Sequence, residues 1–68
     1  MKINLVQLAV DLTAIRCSVL NISQTDDQVK IFLGDPKQRM TIDKSKFKGY
    51  ASIMIEAVRR IQEKRKVE

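Results

Sequence analysis

Cys17-Ser18-Val19-Leu20-Asn21-Ile22-Ser23 is the stretch on which the architecture of this 68-residue chain turns, because it can close a first helix or open a sheet. Read as helix, it extends a pattern that begins at Leu5 and runs to about Leu20. Over that span the helical wheel is apolar across ~220°, and Gln7, Asp11, Ala14, Ser18 and Asn21 share one polar strip at spacings of 4 and 3. Asn4-Leu5-Val6-Gln7 reads as a capping box that starts the helix, with Asn4 as N-cap. Read as strand, the same residues alternate Leu20 and Ile22 with polar neighbours, the helix ends near Arg16, and the β-branched content is adequate. The helical reading is taken here. It makes the chain a small α+β domain, helix–β-hairpin–helix, with α-β-β-β-α as the alternative.

A stripe as wide as Leu5–Leu20 exceeds what one partner helix covers, since a helix on a single core shows ~100° of apolar arc. Thr13 and Arg16 interrupt it, and Arg16 can lay its methylenes along the surface with its head in water. The helix is then either sandwiched between the second helix and the sheet or packed against another copy. The second account is preferred, with Leu5, Leu8, Leu12, Ile15 and Val19 as the expected homodimer interface.

Downstream, Gln24-Thr25-Asp26-Asp27 is a polar turn, and Gln28 to Asp43 reads as a β-hairpin. Val29, Ile31 and Leu33 alternate with Gln28, Lys30 and Phe32, and Met40 and Ile42 alternate with Arg39, Thr41 and Asp43. Centring the turn on Asp35-Pro36 pairs Leu33 with Gln38, Ile31 with Met40 and Val29 with Ile42, which gathers the apolar side chains on one face. The opposite face shows Lys30, Phe32, Arg39 and Thr41, with Phe32 across from Arg39 at cation–π range. An aromatic flanked by cations can stack a base. The plainer expectation is that the first helix or a second subunit covers Phe32.

Lys44 to Lys66 reads as a long amphipathic helix whose stripe is Phe47, Tyr50, Ala51, Met54, Val58 and Ile61. Ile53 and Ile55 fall on opposite edges of it. Ser45 is the expected N-cap, Gly49 sits one turn in, and residues 63–68 form a frayed basic tail. Lys44, Lys46 and Lys48 crowd the first turn, where the helix dipole favours anions. They are either an anion site or a solvated turn. Glu56 with Arg60 and Arg59 with Glu63 are spaced for i, i+4 pairs along a solvated back face.

The length allows one domain, spanning 1–68, with a marginal core. The formal charge of +5 is polarised: residues 1–36 hold three basic and four acidic groups, whereas residues 37–66 hold ten basic and three acidic. Clustered cations point to a polyanionic partner. The single cysteine excludes a disulfide, and the absence of histidine removes the commonest general base and metal ligand. Cys17 on an apolar face reads as an inert small hydrophobe. Neither glycine belongs to a phosphate-binding loop. No enzyme, cofactor, metal site or small-molecule substrate is expected. The longest unbroken apolar run is three residues (Leu8-Ala9-Val10), against the ~20 that a membrane span needs. A lone thiol without a secretion signal fits a reducing, cytoplasmic setting.

With the alternative order α-β-β-β-α and lysines opening the last helix, the chain resembles a double-stranded-RNA-binding domain. The resemblance lies in element order and implies that Lys44, Lys46 and Lys48 touch phosphates. The Gly-Pro-His-type loop and the alanine-rich run of that family are missing. The function expected is a small non-enzymatic regulatory protein that binds DNA or RNA through Lys37, Arg39, Lys44, Lys46 and Lys48. The alternative is a protein–protein interaction module, an inhibitor or adaptor without a nucleic-acid role.

Overall fold

In the computed structural model, which describes residues 2–35 and 37–67, the elements are helix α1 (Leu5–Ala14), strands β1 (Ser18–Gln24), β2 (Gln28–Asp35) and β3 (Lys37–Asp43), and helix α2 (Tyr50–Val67). The order is α-β-β-β-α, and one antiparallel sheet runs β1-β2-β3. Residues 18–23 are therefore strand. The helix expected to run to about Leu20 stops at Ala14.

The start of α1 is as expected: the Asn4 carboxamide oxygen accepts from the Gln7 amide at 3.0 Å. Its end has no glycine to announce it. Arg16 takes a left-handed conformation at φ 66. The Cys17 amide then reaches the Leu12 carbonyl at 3.2 Å, and the Arg16 amide reaches that of Thr13 at 3.0 Å. This is a Schellman closure, which satisfies carbonyls that the last helical turn leaves without partners. A non-glycine residue in that conformation costs about 1–2 kcal/mol. Cys17 follows it into the core at 2% exposure.

The hairpin matches its expected register pair for pair: Val29 with Ile42, Ile31 with Met40, Leu33 with Gln38 and Phe32 with Arg39. Gly34 pairs with Lys37 and so brackets the expected turn, although Pro36 itself lies outside the described residues. Between β1 and β2 the register slips from Val19–Leu33 to Asn21–Phe32, so two steps on β1 face one on β2. Leu20 is the extra residue of this bulge. It lies over Gly34, where a Cβ would stand 3.1 Å from its side chain.

One buried cluster joins both helices to one face of the sheet. Leu8 and Leu12 come from α1, Val29, Ile31, Leu33, Met40 and Ile42 from the hairpin, and Ile53, Ala57 and Ile61 from α2. The Tyr50 hydroxyl donates to the Asp11 carboxylate and links the two helices. Burial and that carboxylate raise the Tyr50 pKa to about 12. The α2 stripe is turned from its expected position. Ile53 is at its centre, Ala51 points outward, and Ile55 is 68% exposed.

Helix α2 begins at Tyr50 rather than near Lys44 because Gly49 sits at φ +88, outside helical space. The Gly49 carbonyl accepts the first α2 bond from Ile53, which makes Gly49 the N-cap. Ser45 instead bonds the Asp43 carboxylate with its amide and hydroxyl, at 2.9 and 2.7 Å. Those two bonds hold the Asp43 carboxyl below the usual range. A Cβ on Gly49 meets nothing within 4 Å, so backbone strain alone sets the effect of a substitution. Gly49→Ala is expected to cost about 1–2 kcal/mol. Its thermal midpoint should fall by roughly 4–8 °C per kcal/mol, with an unchanged circular-dichroism spectrum below the transition. At the other end α2 continues to Val67, beyond the point where a frayed tail was expected.

The i, i+4 pairs on α2 form as expected, Arg60 with Glu56 at 2.6 Å and Arg59 with Glu63 at 2.5 Å. Their setting differs from the solvated face anticipated. Glu56 is only 4% exposed. Arg59 also clamps Glu56, at 2.8 Å, and Arg60 extends a nitrogen to the Thr41 carbonyl on β3 at 2.7 Å. The Arg59 and Arg60 hydrogen bonds, opposed by burial, lower the Glu56 carboxyl from its ordinary 4.5 to about 2. A lowered folded-state value means the contribution is complete above about pH 4.5 and is lost as pH falls toward about 2. The thermal midpoint should therefore drop between pH 5 and pH 3, and Glu56→Gln should shrink that drop while lowering stability at pH 7.

Candidate functional site

Among the described residues, no element lies over the face of the sheet opposite the helices. Alternation puts Lys37, Arg39 and Thr41 of β3 there, with Lys30, Phe32 and Gly34 of β2 opposite them. Across β2, Asn21 stands beside Phe32 and Ser23 beside Lys30. Lys30, Lys37, Arg39 and Thr41 are exposed, and Phe32 is half-buried at the centre. The Arg39 guanidinium lies 4.8 Å from the Phe32 ring centroid. Asn21, Ser23, Lys30, Ile31, Phe32, Arg39 and Thr41 line a shallow depression of about 210 Å³ that contains no carboxylate. Helix α1 packs on the other side of the sheet, so the expectation that it covers Phe32 is not met.

The five cations expected to form one anion site are distributed differently. Lys37 and Arg39 sit together near the hairpin turn. Lys46 and Lys48 are exposed in the segment between β3 and α2. That segment lies at the far end of β3, six residue steps or ~20 Å from Lys37. The lysines do not open a helix.

Lys44 leaves the set altogether. It is 6% exposed, and its Nζ donates to Gln24 Oε1 and to the Thr25 carbonyl, each at 2.7 Å. The Gln24 carboxamide in turn holds both backbone groups of Ile3, at 2.9 and 2.8 Å. Lys44 is a structural clip. Of the features implied by the double-stranded-RNA-binding resemblance, only the element order survives, and the helix-opening lysine cluster does not.

Arg60 and Lys64 of α2 add two more cations beside the β3 edge, in a groove that also holds Gln38, Arg39 and Glu63. The sheet order explains this concentration. Residues 37–66, which hold the excess cations, become β3 and α2, and these pack on each other. Charge polarisation along the chain thus becomes polarisation in space. The opposite flank, α1 and β1, carries a single charged residue, Asp11, and includes two uncharged runs, residues 3–10 and 17–25.

That flank revises the expected dimer interface. Leu8 and Leu12 are fully buried within the single chain, so they have no surface left to offer a second copy. Leu5 and Val19 are half-buried against the same core. Of the five residues expected there, only Ile15 stands exposed, and the outward apolar side chains of this flank are Val6, Val10 and Leu20. Leu20 was misplaced because the strand side of the flank was assigned to helix. Among the described residues, no helix is long and apolar enough to cross a membrane. Comparison of the chain with protein-family models, curated proteins and solved structures finds no match.

Proposed function

We propose that this is a small non-enzymatic protein that binds nucleic acid through its phosphate backbone. The contact surface is the uncovered sheet face and the adjoining β3 edge, with Lys30, Lys37 and Arg39 at its centre and Lys46 and Lys48 at one end. The observation that carries the reading is the union of three exposed cations on a sheet face that, among the described residues, no helix occupies, with a central depression whose lining contains no carboxylate. Cations placed this way release condensed counterions when they meet phosphates, so binding depends steeply on salt. Fluorescence anisotropy of a labelled oligonucleotide at about 50 and 200 mM salt tests it, with a log–log slope near −0.7 to −0.9 per contact expected. An absence of binding at the lower salt ends the reading.

A second reading has one observation in its favour. Val6 is 76% and Leu20 66% exposed on the α1–β1 flank, and exposed apolar groups gathered on one side fit a protein interface. On this reading the chain is an interaction module or homodimer, joined through that flank, with its cationic side left open. Light scattering at tens of micromolar checks the homodimer, and a monomer mass rejects it.

A further inference from the structure

We infer that the depression on the uncovered sheet face is a site for an unpaired base of single-stranded nucleic acid. The base stacks on Phe32 and Arg39, its edge meets Asn21, Ser23 and Thr41, and its phosphates lie on Lys30 and Lys37. This rests on the nucleic-acid reading above and names the form of the partner.

Phe32 carries the inference. An aromatic ring at the centre of a bare face, with cations on its own and the neighbouring strand, is an unusual use of apolar surface in a chain with only three aromatic residues. Its ring is held by the Arg39 guanidinium at 4.8 Å. Aromatic rings and guanidinium planes both stack bases, so a base can lie on the outer plane of the guanidinium or take its place over the ring. The surrounding Asn21, Ser23 and Thr41 supply donors and acceptors without charge, which suits a base edge. The depression, at about 210 Å³, is smaller than the ~300–1,000 Å³ typical of drug-sized ligands and matches one planar ring system.

Other occupants fit less well. A duplex offers phosphates to the lysines but keeps its bases stacked inside, which leaves Phe32 unused. A second copy on this face would set Lys30, Lys37 and Arg39 against their own equivalents and repel. An acidic peptide would satisfy the cations but gain nothing from the ring.

Eight-nucleotide single strands of mixed sequence, as DNA and as RNA, and a duplex of the same length serve as probes for the full chain and two variants. The wild type should bind the better single strand at least about tenfold more tightly than the duplex. Phe32→Leu keeps an apolar side chain but removes the stacking surface. It should lose about 5- to 150-fold on the single strand, the worth of one stacked base, with duplex binding unchanged. The chain has no tryptophan, so Phe32→Trp places a sole indole on the platform. Saturating oligonucleotide should quench its emission.

Equal affinity of Phe32→Leu and wild type for the single strand, with thermal melting preserved, would overturn the inference. So would an unquenched indole, a preference for duplex, or equal competition by polyglutamate. A concentration-dependent indole shift without oligonucleotide would give the face to a second copy. No binding of any probe at low salt would remove the broader nucleic-acid reading as well, which keeps the two failures distinguishable.

Discussion

Replacing Lys30, Lys37 and Arg39 together by glutamine is expected to weaken oligonucleotide binding by about two orders of magnitude at low salt. The log–log salt slope should become shallower by about 2–3, at 0.7–0.9 per lost phosphate contact. The three side chains are exposed on one face of the hairpin, so the fold should be little affected. The main structural loss is the Arg39–Phe32 contact, worth about 0.5–1 kcal/mol at an exposed position. Anisotropy titrations over a salt series measure both quantities, and a thermal melt confirms that the variant is folded. The paired replacement of Lys46 and Lys48 serves as the comparison. These two lie ~20 Å from Lys37 along β3, so their loss should flatten the slope by less than the face triple. A larger effect from the loop pair would move the site off the sheet face and return it to the segment before α2.

The contrast among these lysines shows which features a sequence pattern carries. Alternation and a turn are local, so the β2–β3 register, the outward Lys30 and Arg39, and the Phe32–Arg39 contact were all legible. The break between α1 and β1 was not. Ser18 and Asn21 are three residues apart, which continues the polar strip of a helix, and Arg16 takes the left-handed position that glycine would have announced. The beginning of α2 was obscured for the converse reason: Gly49 looked like a flaw inside a helix and is the residue that starts it. Glu56 was correctly paired but wrongly exposed, because its cover depends on Arg60 reaching across to Thr41 on β3. The strength of the cationic flank was only partly visible. Its cause is the spatial order of the strands, which places the basic half of the chain on one side of the sheet.

Lys44 is the clearest case of chemistry that spacing cannot reveal, and it gives the largest stability effect. With Lys46 and Lys48 it looks like one cluster of cations, yet its ammonium is bonded to groups 19 and 20 residues away. Those bonds, with the Lys44 amide on the Asp27 carbonyl at 2.8 Å, fasten the β1–β2 turn to the end of β3. Through Gln24 they also hold the segment before α1. Lys44→Met keeps most of the stem and deletes both ammonium bonds. Hydrogen bonds to a charged group contribute about 1.5–3 kcal/mol each, and relief from burying the ammonium offsets part of that loss. Gln24 Oε1 retains its bond from Ile3, whereas the Thr25 carbonyl loses this partner. The net expectation is a loss of about 2 kcal/mol. At roughly 4–8 °C per kcal/mol for a domain this small, the thermal midpoint should fall by about 8–16 °C. Lys46→Met, which changes an exposed side chain two residues away, should move it by less than about 2 °C. A Lys44→Met variant that melts with the wild type would remove the clip and put Lys44 back among the solvent-facing cations. Phosphate binding then separates the two roles: Lys44→Met at temperatures where it is folded should keep the wild-type salt slope, because its ammonium faces Gln24 and Thr25 rather than the partner.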